Sequence, residues 1–539
     1  MSPSKNNKYT GMNHQARAAS SLSLGLLALA LAGPTCAGEF QLGEEVSANY
    51  LLTLGYGAAM RTESQSSELI NGPIDPASGL PNTVNSDDGD RNFDPGSLIN
   101  NRLSLLGEID LHYRNYGAFL RASSFYDDVW QHRNDNNSPD TVNKTGPANE
   151  FTRGARDAAG SRSRLLDAYL YGSFQTAEQS MLNLRLGRQV VQWGESLFFP
   201  NIAGAQSPAD ATKANVPGIE VKDILLPVGQ MFAQWQLSPA FGVSAYYQYE
   251  YKPTELDPVG GYFSTADMIG PGAEFLYLAP GFTLPKGPTD RPRDSGQWGL
   301  SMRMAVGNET EMSLYRLRYH DKNPNVRVNF QDDLPNDYQV IYFDDIDLTG
   351  ISFSTRMGDF NVAGEISYKD GVPVLVDTPV GASATRANAT QAQLSSLYIL
   401  GPRWFSDQTT FVGEVAYLRV NKVDDFAFAG ETFDELSADR GAWAYQLSAT
   451  PSWNNVIDGW DLSMPMSYAE QVNGTTAVAG AFGGLVGEGD SRASAGLTFK
   501  YLNNLELGMS YNAFLGGADL AKRPLADRDY LAFSAKYSL

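Results

Sequence analysis

In VSANYLLTLGYGAAMR, residues 46 to 61, every even position is apolar: Val46, Ala48, Tyr50, Leu52, Leu54, Tyr56, Ala58 and Met60. Between them stand Ser47, Asn49, Thr53, Gly55 and Arg61. Successive side chains of a strand point to opposite faces, so period two over sixteen residues predicts an extended strand with one greasy face. The chain ends in the same way, with Leu531, Phe533, Ala535, Tyr537 and Leu539 alternating with Ala532, Ser534, Lys536 and Ser538. Similar stretches recur throughout, among them Val243 to Tyr251, Trp298 to Val306, Trp460 to Tyr468 and Leu505 to Tyr511. Strands need partners for their backbone polar groups, so the pattern predicts one large sheet.

The connections alternate between short and long. RNYG (114 to 117), SPAFG (238 to 242), GNET (307 to 310), MGD (357 to 359) and YLNN (501 to 504) are tight; 62 to 97, 127 to 160, 194 to 226, 252 to 296, 371 to 388, 422 to 441 and 471 to 490 are long and rich in Asp, Asn, Gly, Pro and Ser. A transmembrane barrel has this asymmetry, with short periplasmic turns and long outer loops. Counting between connections predicts eighteen antiparallel strands, or sixteen if the unclear boundaries between 323 and 350 hide a pair. A soluble sandwich would alternate too. The membrane barrel is preferred because aromatics such as Tyr113, Tyr126, Tyr251, Tyr319, Trp443 and Tyr537 fall near strand ends, as interfacial girdles do.

The first 37 residues have the form of a secretory leader: Lys5, Lys8 and Arg17 precede the apolar run LSLGLLALALAG (22 to 33), and small residues lead to a cleavage site after Ala37. Removing 1–37 takes away Cys36, the sole cysteine, so disulfides and thiolate metal sites are excluded. It leaves 37 Lys and Arg against 61 Asp and Glu, a net charge of −24, which disfavours nucleic acid as a partner. Residues 38–539 are expected to form a single barrel domain.

With apolar faces toward lipid, the opposite faces line a lumen. This predicts pore-lining positions for Arg102, Glu108, Asp110, Arg164, Arg185, Glu250, Arg303, Arg316, Arg318, Glu365 and Glu414. Most of the arginines lie in the first half and Glu365 and Glu414 in the second. Two readings stand: a transverse field that selects solutes, or a lattice of salt bridges that stiffens the wall. Glu108, Glu365 and Glu414 share a Gly-Glu-Ile/Val context, read as convergent strand design.

Two long connections are too apolar for solvent-washed tips. Loop 194–226 carries Phe198, Phe199 and Ile202; loop 252–296 carries Phe263, Met268 and Ile269. Ser207-Pro208-Ala209-Asp210 has the form of a helix start, with Pro217-Gly218 as its stop, and Ser264-Thr265-Ala266-Asp267 has the form of another cap. Both loops are expected to be partly helical and to fold into the mouth as a plug or constriction.

The runs GRQVVQWGES (187 to 196), SPADATKANVPG (207 to 218), YYQYEYKPTELDP (246 to 258) and DRNFDPGSLINNRLSLLGEIDL (90 to 111) closely resemble the bacterial domain-of-unknown-function family 1302. The resemblance implies a large Gram-negative outer-membrane barrel, exported through the cleaved leader, that moves hydrophobic compounds. It also implies a periplasmic lipid-carrier-like protein and an RND-type inner-membrane exporter as partners. The family has no established site residues to carry over. The last strand resembles the signal read by the barrel-assembly machinery, with Leu539 in place of the usual terminal aromatic. Outer-membrane lipid and lipopolysaccharide would surround the barrel.

No GxSxG, HExxH, CxxC or Walker pattern is present, and no catalytic residue, cofactor or metal is assigned. His112 and His320 are read as wall histidines. The acidic run Asp87, Asp88, Asp90 and Asp94 lacks EF-hand spacing and is read as a solvated loop rather than a divalent cation site. The expected function is that of a porin-like channel or transporter for a small, hydrophobic compound, forming the outer part of an export or uptake system. A surface-exposed hydrolase barrel and a non-conducting adhesion scaffold are the alternatives.

Overall fold

The computed structural model describes residues 38–41, 43, 45–502 and 504–539; the expected leader, 1–37, lies outside them. Eighteen antiparallel strands form a closed meander. They are β1 (Val46–Arg61), β2 (Leu98–Tyr113), β3 (Tyr116–Asp127), β4 (Ser161–Ala177), β5 (Ser180–Gln189) and β6 (Val228–Ser238). Next come β7 (Phe241–Gln248), β8 (Gln297–Val306), β9 (Thr310–Tyr319), β10 (Ile346–Met357), β11 (Phe360–Val376) and β12 (Ser383–Leu400). The last six are β13 (Gln408–Val423), β14 (Gly441–Ile457), β15 (Trp460–Ser463 continued by Met466–Asn473), β16 (Ser491–Tyr501), β17 (Leu505–Leu515) and β18 (Tyr530–Ser538). The interruption in β15 falls at Met464-Pro465, where proline supplies no N–H to the ladder.

Each strand pairs with its neighbours in sequence, and β18 closes on β1 from Arg61 opposite Tyr530 to Thr53 opposite Ser538. A short segment, Gly38–Gln41, pairs with Ser47 to Tyr50, prolonging the same edge of β1 where β18 stops. Connections alternate as expected. Asp458-Gly459 and Gly358-Asp359 are two-residue turns whose glycines take φ of 78° and 64°, the left-handed geometry a tight hairpin requires. The stretch that left the strand count open holds a separate hairpin, Asn325–Gln331 with Leu334–Ile341, standing outside the barrel sheet.

Leu54, Leu103, Leu170, Leu314, Leu394, Leu447, Met509 and Phe533 are all exposed on the outer face. A continuous apolar belt of this kind is stable only against lipid. Tyr113, Tyr116, Tyr501 and Tyr537 border it on the turn side, and Tyr126, Tyr368, Tyr417 and Tyr511 on the loop side. Tyr251 and Tyr319, expected in the girdle, are instead buried. No helix among the described residues is long and apolar enough to cross a membrane.

The bore is unevenly filled. Toward the long loops, the inner faces of β10 to β14 turn apolar through Leu348, Val372, Val374, Ala389, Leu418, Val420 and Ala444. These residues pack against Phe199 and Ile202 of the connection 190–227, and against Ala481, Phe482 and Leu485 of 474–490. The opposite side of the bore, from β3 to β9, stays open.

Candidate pore constriction

The connection 190–227 leaves β5 and enters the bore. Its neck is closed by two buried glutamines: Gln189 Nε2 donates to the Gln230 carbonyl (3.1 Å), and Gln230 Nε2 returns a bond to the Gln189 carbonyl (2.8 Å). The segment then lies along the inner wall of β11 to β13. The Glu365 carboxylate accepts the backbone N–H groups of Glu195 (2.5 Å) and Ile202 (3.2 Å). Glu414 accepts those of Leu197 (3.0 Å), Phe198 (2.6 Å) and Phe199 (2.9 Å). Gln393 Nε2 donates to the Phe199 carbonyl (2.7 Å), and Ser367 Oγ to Asn201 Oδ1 (2.5 Å). The five bonds to the two carboxylates are charge-assisted, a type about twice as strong as the neutral ones.

Two further anchors carry the segment across the bore. Asp210 receives the Arg162 guanidinium (3.0 Å) and that of Arg164; Glu255, from the next long connection, receives the same pair at 2.8 and 2.9 Å. At the far wall, Glu220 pairs with Lys222 (3.0 Å) and with Lys536 of β18. Gly218, with φ of 77°, sits so close to β18 that a Cβ would stand 2.9 Å from Ser534 Cβ. The loop is therefore a bar fixed to three parts of the wall.

Beside this bar a cavity of about 500 Å³ remains, bounded by strands β3 to β9. Arg121 pairs with Asp167 (2.8 Å) and Arg303 with Glu311 (3.5 Å). Arg185 lies over the Phe232 ring, 4.4 Å from its centroid, and has no carboxylate partner among the described ion pairs. Phe119, Tyr169, Trp193 and Tyr315 supply aromatic surface. Glu195, from the bar itself, also lines the cavity; burial and the nearby Glu365 and Glu311 carboxylates push its carboxyl up to about 8, against the pull of Arg303.

The residues expected to line the pore divide into groups. Arg185 and Arg303 border the cavity. Glu365, Glu414 and Arg164 face inward and hold the bar. Arg102 is buried with its guanidinium 3.5 Å from the Phe125 centroid. Glu108 faces inward, half-buried, and Asp110 sits near the turn side beside His112 (3.0 Å). Three positions need correction. Arg316 and Arg318 point outward, paired with Asp347 at 3.1 and 2.8 Å, because Tyr315, Leu317 and Tyr319 form the inner face of β9. Glu250 lies past the end of β7 and pairs with Arg188, whose side chain is on the outer face.

Phe199 and Ile202 are buried against the wall, and Phe198 packs at the edge of that cluster. In the second loop, Phe263 packs on Tyr530 (5.4 Å between centroids), while Met268 packs against Leu276, Leu284 and Tyr338 and Ile269 is half-buried beside it. Connection 252–296 thus caps the mouth, while 190–227 crosses and narrows the bore, with 474–490 packed beside it. The helix starts are corrected too. Ser207 Oγ donates to the Val191 carbonyl, and only 3₁₀ turns, Ala203–Ala205 and Ala211–Lys213, and the single turn Val221–Ile224 form. Ser264 to Asp267 forms no helix.

Arg121, Asp167, Glu195 and Glu311 were not anticipated. Arg121 and Glu311 obey the alternation of their strands. Asp167 escapes it because the β3–β4 ladder shifts register between Leu120 and Ala122, burying Leu166 and turning Asp167 inward. No catalytic arrangement involves the wall histidines: His112 contacts Tyr171 and Asp110, and His320 donates to the Ser295 carbonyl (2.9 Å) and accepts the Asp345 N–H (3.0 Å).

The family profile described as "Protein of unknown function (DUF1302)" matches residues 18–539. No curated protein matches the chain. Among solved structures, OccAB4 of Acinetobacter baumannii is 11% identical, with 92% of this chain and 99% of that one covered and a TM-score of 0.43. A BenF-like porin from Pseudomonas fluorescens Pf-5 is 10% identical, covering 91% and 98% at a TM-score of 0.42. The outer membrane channel DcaP of Acinetobacter baumannii is 9% identical, covering 94% and 100% at 0.37.

Proposed function

Since the chain belongs to the DUF1302 family, whose description assigns no activity, we propose from its geometry that it is an outer-membrane channel for small compounds with a largely apolar body. The observation that carries this reading is the bar 190–227, fixed across a closed bore and leaving one cavity of about 500 Å³ beside it. A cavity of that size accommodates a small organic molecule. Phe119, Tyr169, Trp193, Phe232 and Tyr315 would meet the apolar body, while Arg185 and the two ion pairs would orient a polar end. The apolar side chains of the bar support the reading only indirectly, because Phe199 and Ile202 are used to dock it.

Passage needs no covalent chemistry. A solute loses its hydration on entering the constriction and regains it on leaving, so the cavity must bind weakly enough to release. The test is reconstitution of residues 38–539 in planar bilayers and liposomes, with and without 197–226. The expected result is small, solute-dependent conductance from the intact chain and about tenfold larger conductance once the bar is removed. Absence of conductance and of apolar-solute flux from both forms would overturn the channel reading.

A further inference from the structure

Of the acidic run in 62–97, expected to be solvated, Asp94 is exposed, but Asp87, Asp88 and Asp90 are buried, at 0%, 2% and 0% exposed. Asp90 is accounted for by Arg61 (2.6 Å) and Arg528 (3.4 Å). Asp87 and Asp88 are met instead by a third carboxylate, Asp267 of 249–296, also 0% exposed. One carboxylate oxygen from each lies within 4.8 Å of the other two.

The hydrogen bonding of the three is lopsided in the same sense. Asp87 Oδ2 accepts Arg91 Nε (2.5 Å), Asp88 Oδ2 the Asn143 N–H (3.2 Å) and Asp267 Oδ2 the Asp88 N–H (3.2 Å). All three Oδ1 atoms are buried with no partner. A neutral oxygen of a residue that touches Asp88 is in the same condition. Asn143, fully buried with its N–H on Asp88, directs its amide nitrogen to Asn85 Oδ1 (2.7 Å) and the Phe275 carbonyl (3.2 Å), leaving its own Oδ1 without a donor. Buried polar atoms are nearly always satisfied, and clustered buried carboxylates need a counter-charge. Among the described residues, Arg91 is the one cation in ion-pair contact with the trio, and Lys144 acts on Asp88 from further off.

We propose that Asp87, Asp88 and Asp267, with the Asn143 side-chain carbonyl, bind a calcium ion that fastens the outer connections 62–97, 128–160 and 249–296 to one another. An all-oxygen donor set rich in carboxylates suits a hard cation, and a site assembled from three separate loops suits the flexible geometry of calcium better than the strict octahedron of magnesium. The loops already touch here: a Cβ on Gly89 would collide with the Gly261 carbonyl oxygen. The ion would complete a contact that the backbone has begun.

Terbium, an oxygen-seeking ion whose luminescence is sensitised by nearby tyrosine, is the probe, used on the refolded 38–539 chain in detergent. The expected result is saturable luminescence that calcium displaces at about 10⁻⁴ to 10⁻³ M, the range of extracellular calcium modules, and magnesium about tenfold less well. Asp267→Asn and, independently, Asp87→Asn should lower terbium affinity at least tenfold. Asp94→Asn, outside the trio, should leave it unchanged. Trypsin nicking of the outer loops should be about tenfold faster in EDTA than in calcium for the parent chain and indifferent to calcium in the two variants. Equal luminescence from parent and both variants, or nicking that ignores calcium in the parent, would overturn the proposal and show that the carboxylates share protons instead.

Discussion

The most demanding residues sit at the mouth of the barrel. Arg61 and Arg528 are buried with Asp90 and Asp527, and the two arginines also donate to backbone carbonyls, including those of Phe93 and Tyr262. Removing one member leaves a buried charge uncompensated, at a cost of ~3–5 kcal/mol. Asp527→Ala should therefore lower the thermal midpoint markedly and raise hydrogen exchange in 62–97 and 516–529, while an exposed pair such as Lys422 with Asp424 should be silent on removal. Glu195 gives a pH signature. Its carboxyl is raised from the ordinary 4.5 to about 8, so its contribution to stability is full below about pH 4.5 and is lost as pH climbs through 8. Between pH 7 and 9 the cavity gains a negative charge; cation preference in single-channel recordings should rise over that interval, and Glu195→Gln should flatten the profile. Residues were legible where one face of a strand was plainly apolar. Arg316 and Arg318 were not, because β9 is apolar on both faces: Met312 and Leu314 outward, Tyr315 and Leu317 inward.

At the scale of elements, alternation was sufficient for the strands, since the lipid belt imposes period two on every one of them. It was insufficient for the bar. Ser207 to Asp210 has the composition of a helix start, yet Asp210 is drawn to Arg162 and Arg164, and a helix of one or two turns cannot compete with two charge-assisted bonds. Long-range partners of that kind leave no trace in local sequence. The bar's path also depends on Gly218. A side chain there meets both the strained φ of 77° and the β18 wall. Gly218→Val should push the tip from β18, break the contact between Glu220 and Lys536, and raise conductance several-fold without loss of the folded barrel, as judged by heat-modifiable gel mobility.

For the molecule as a whole, closure is the cooperative step. The final strand supplies nine paired positions to β1 and eight to β17, so truncation before Leu531 should leave two open edges and no heat-modifiable species. This much the terminal alternation already required, whereas the uneven filling of the bore was hidden, because an inner face that goes from Glu414 to Leu418 and Val420 looks like a strand buried on both sides. The docking of the bar has a further consequence. Glu365 and Glu414 grip it by five backbone N–H groups, which every residue except proline possesses. This polar part of the grip is thus blind to side chains, and selection by side chain is left to the apolar docking of Phe199 and Ile202. Glu195 and Ser196, which line the cavity and take no part in the apolar docking, can be rewritten by mutation while the bar keeps its course, so new solute preferences are open to this scaffold without the barrel having to be folded anew.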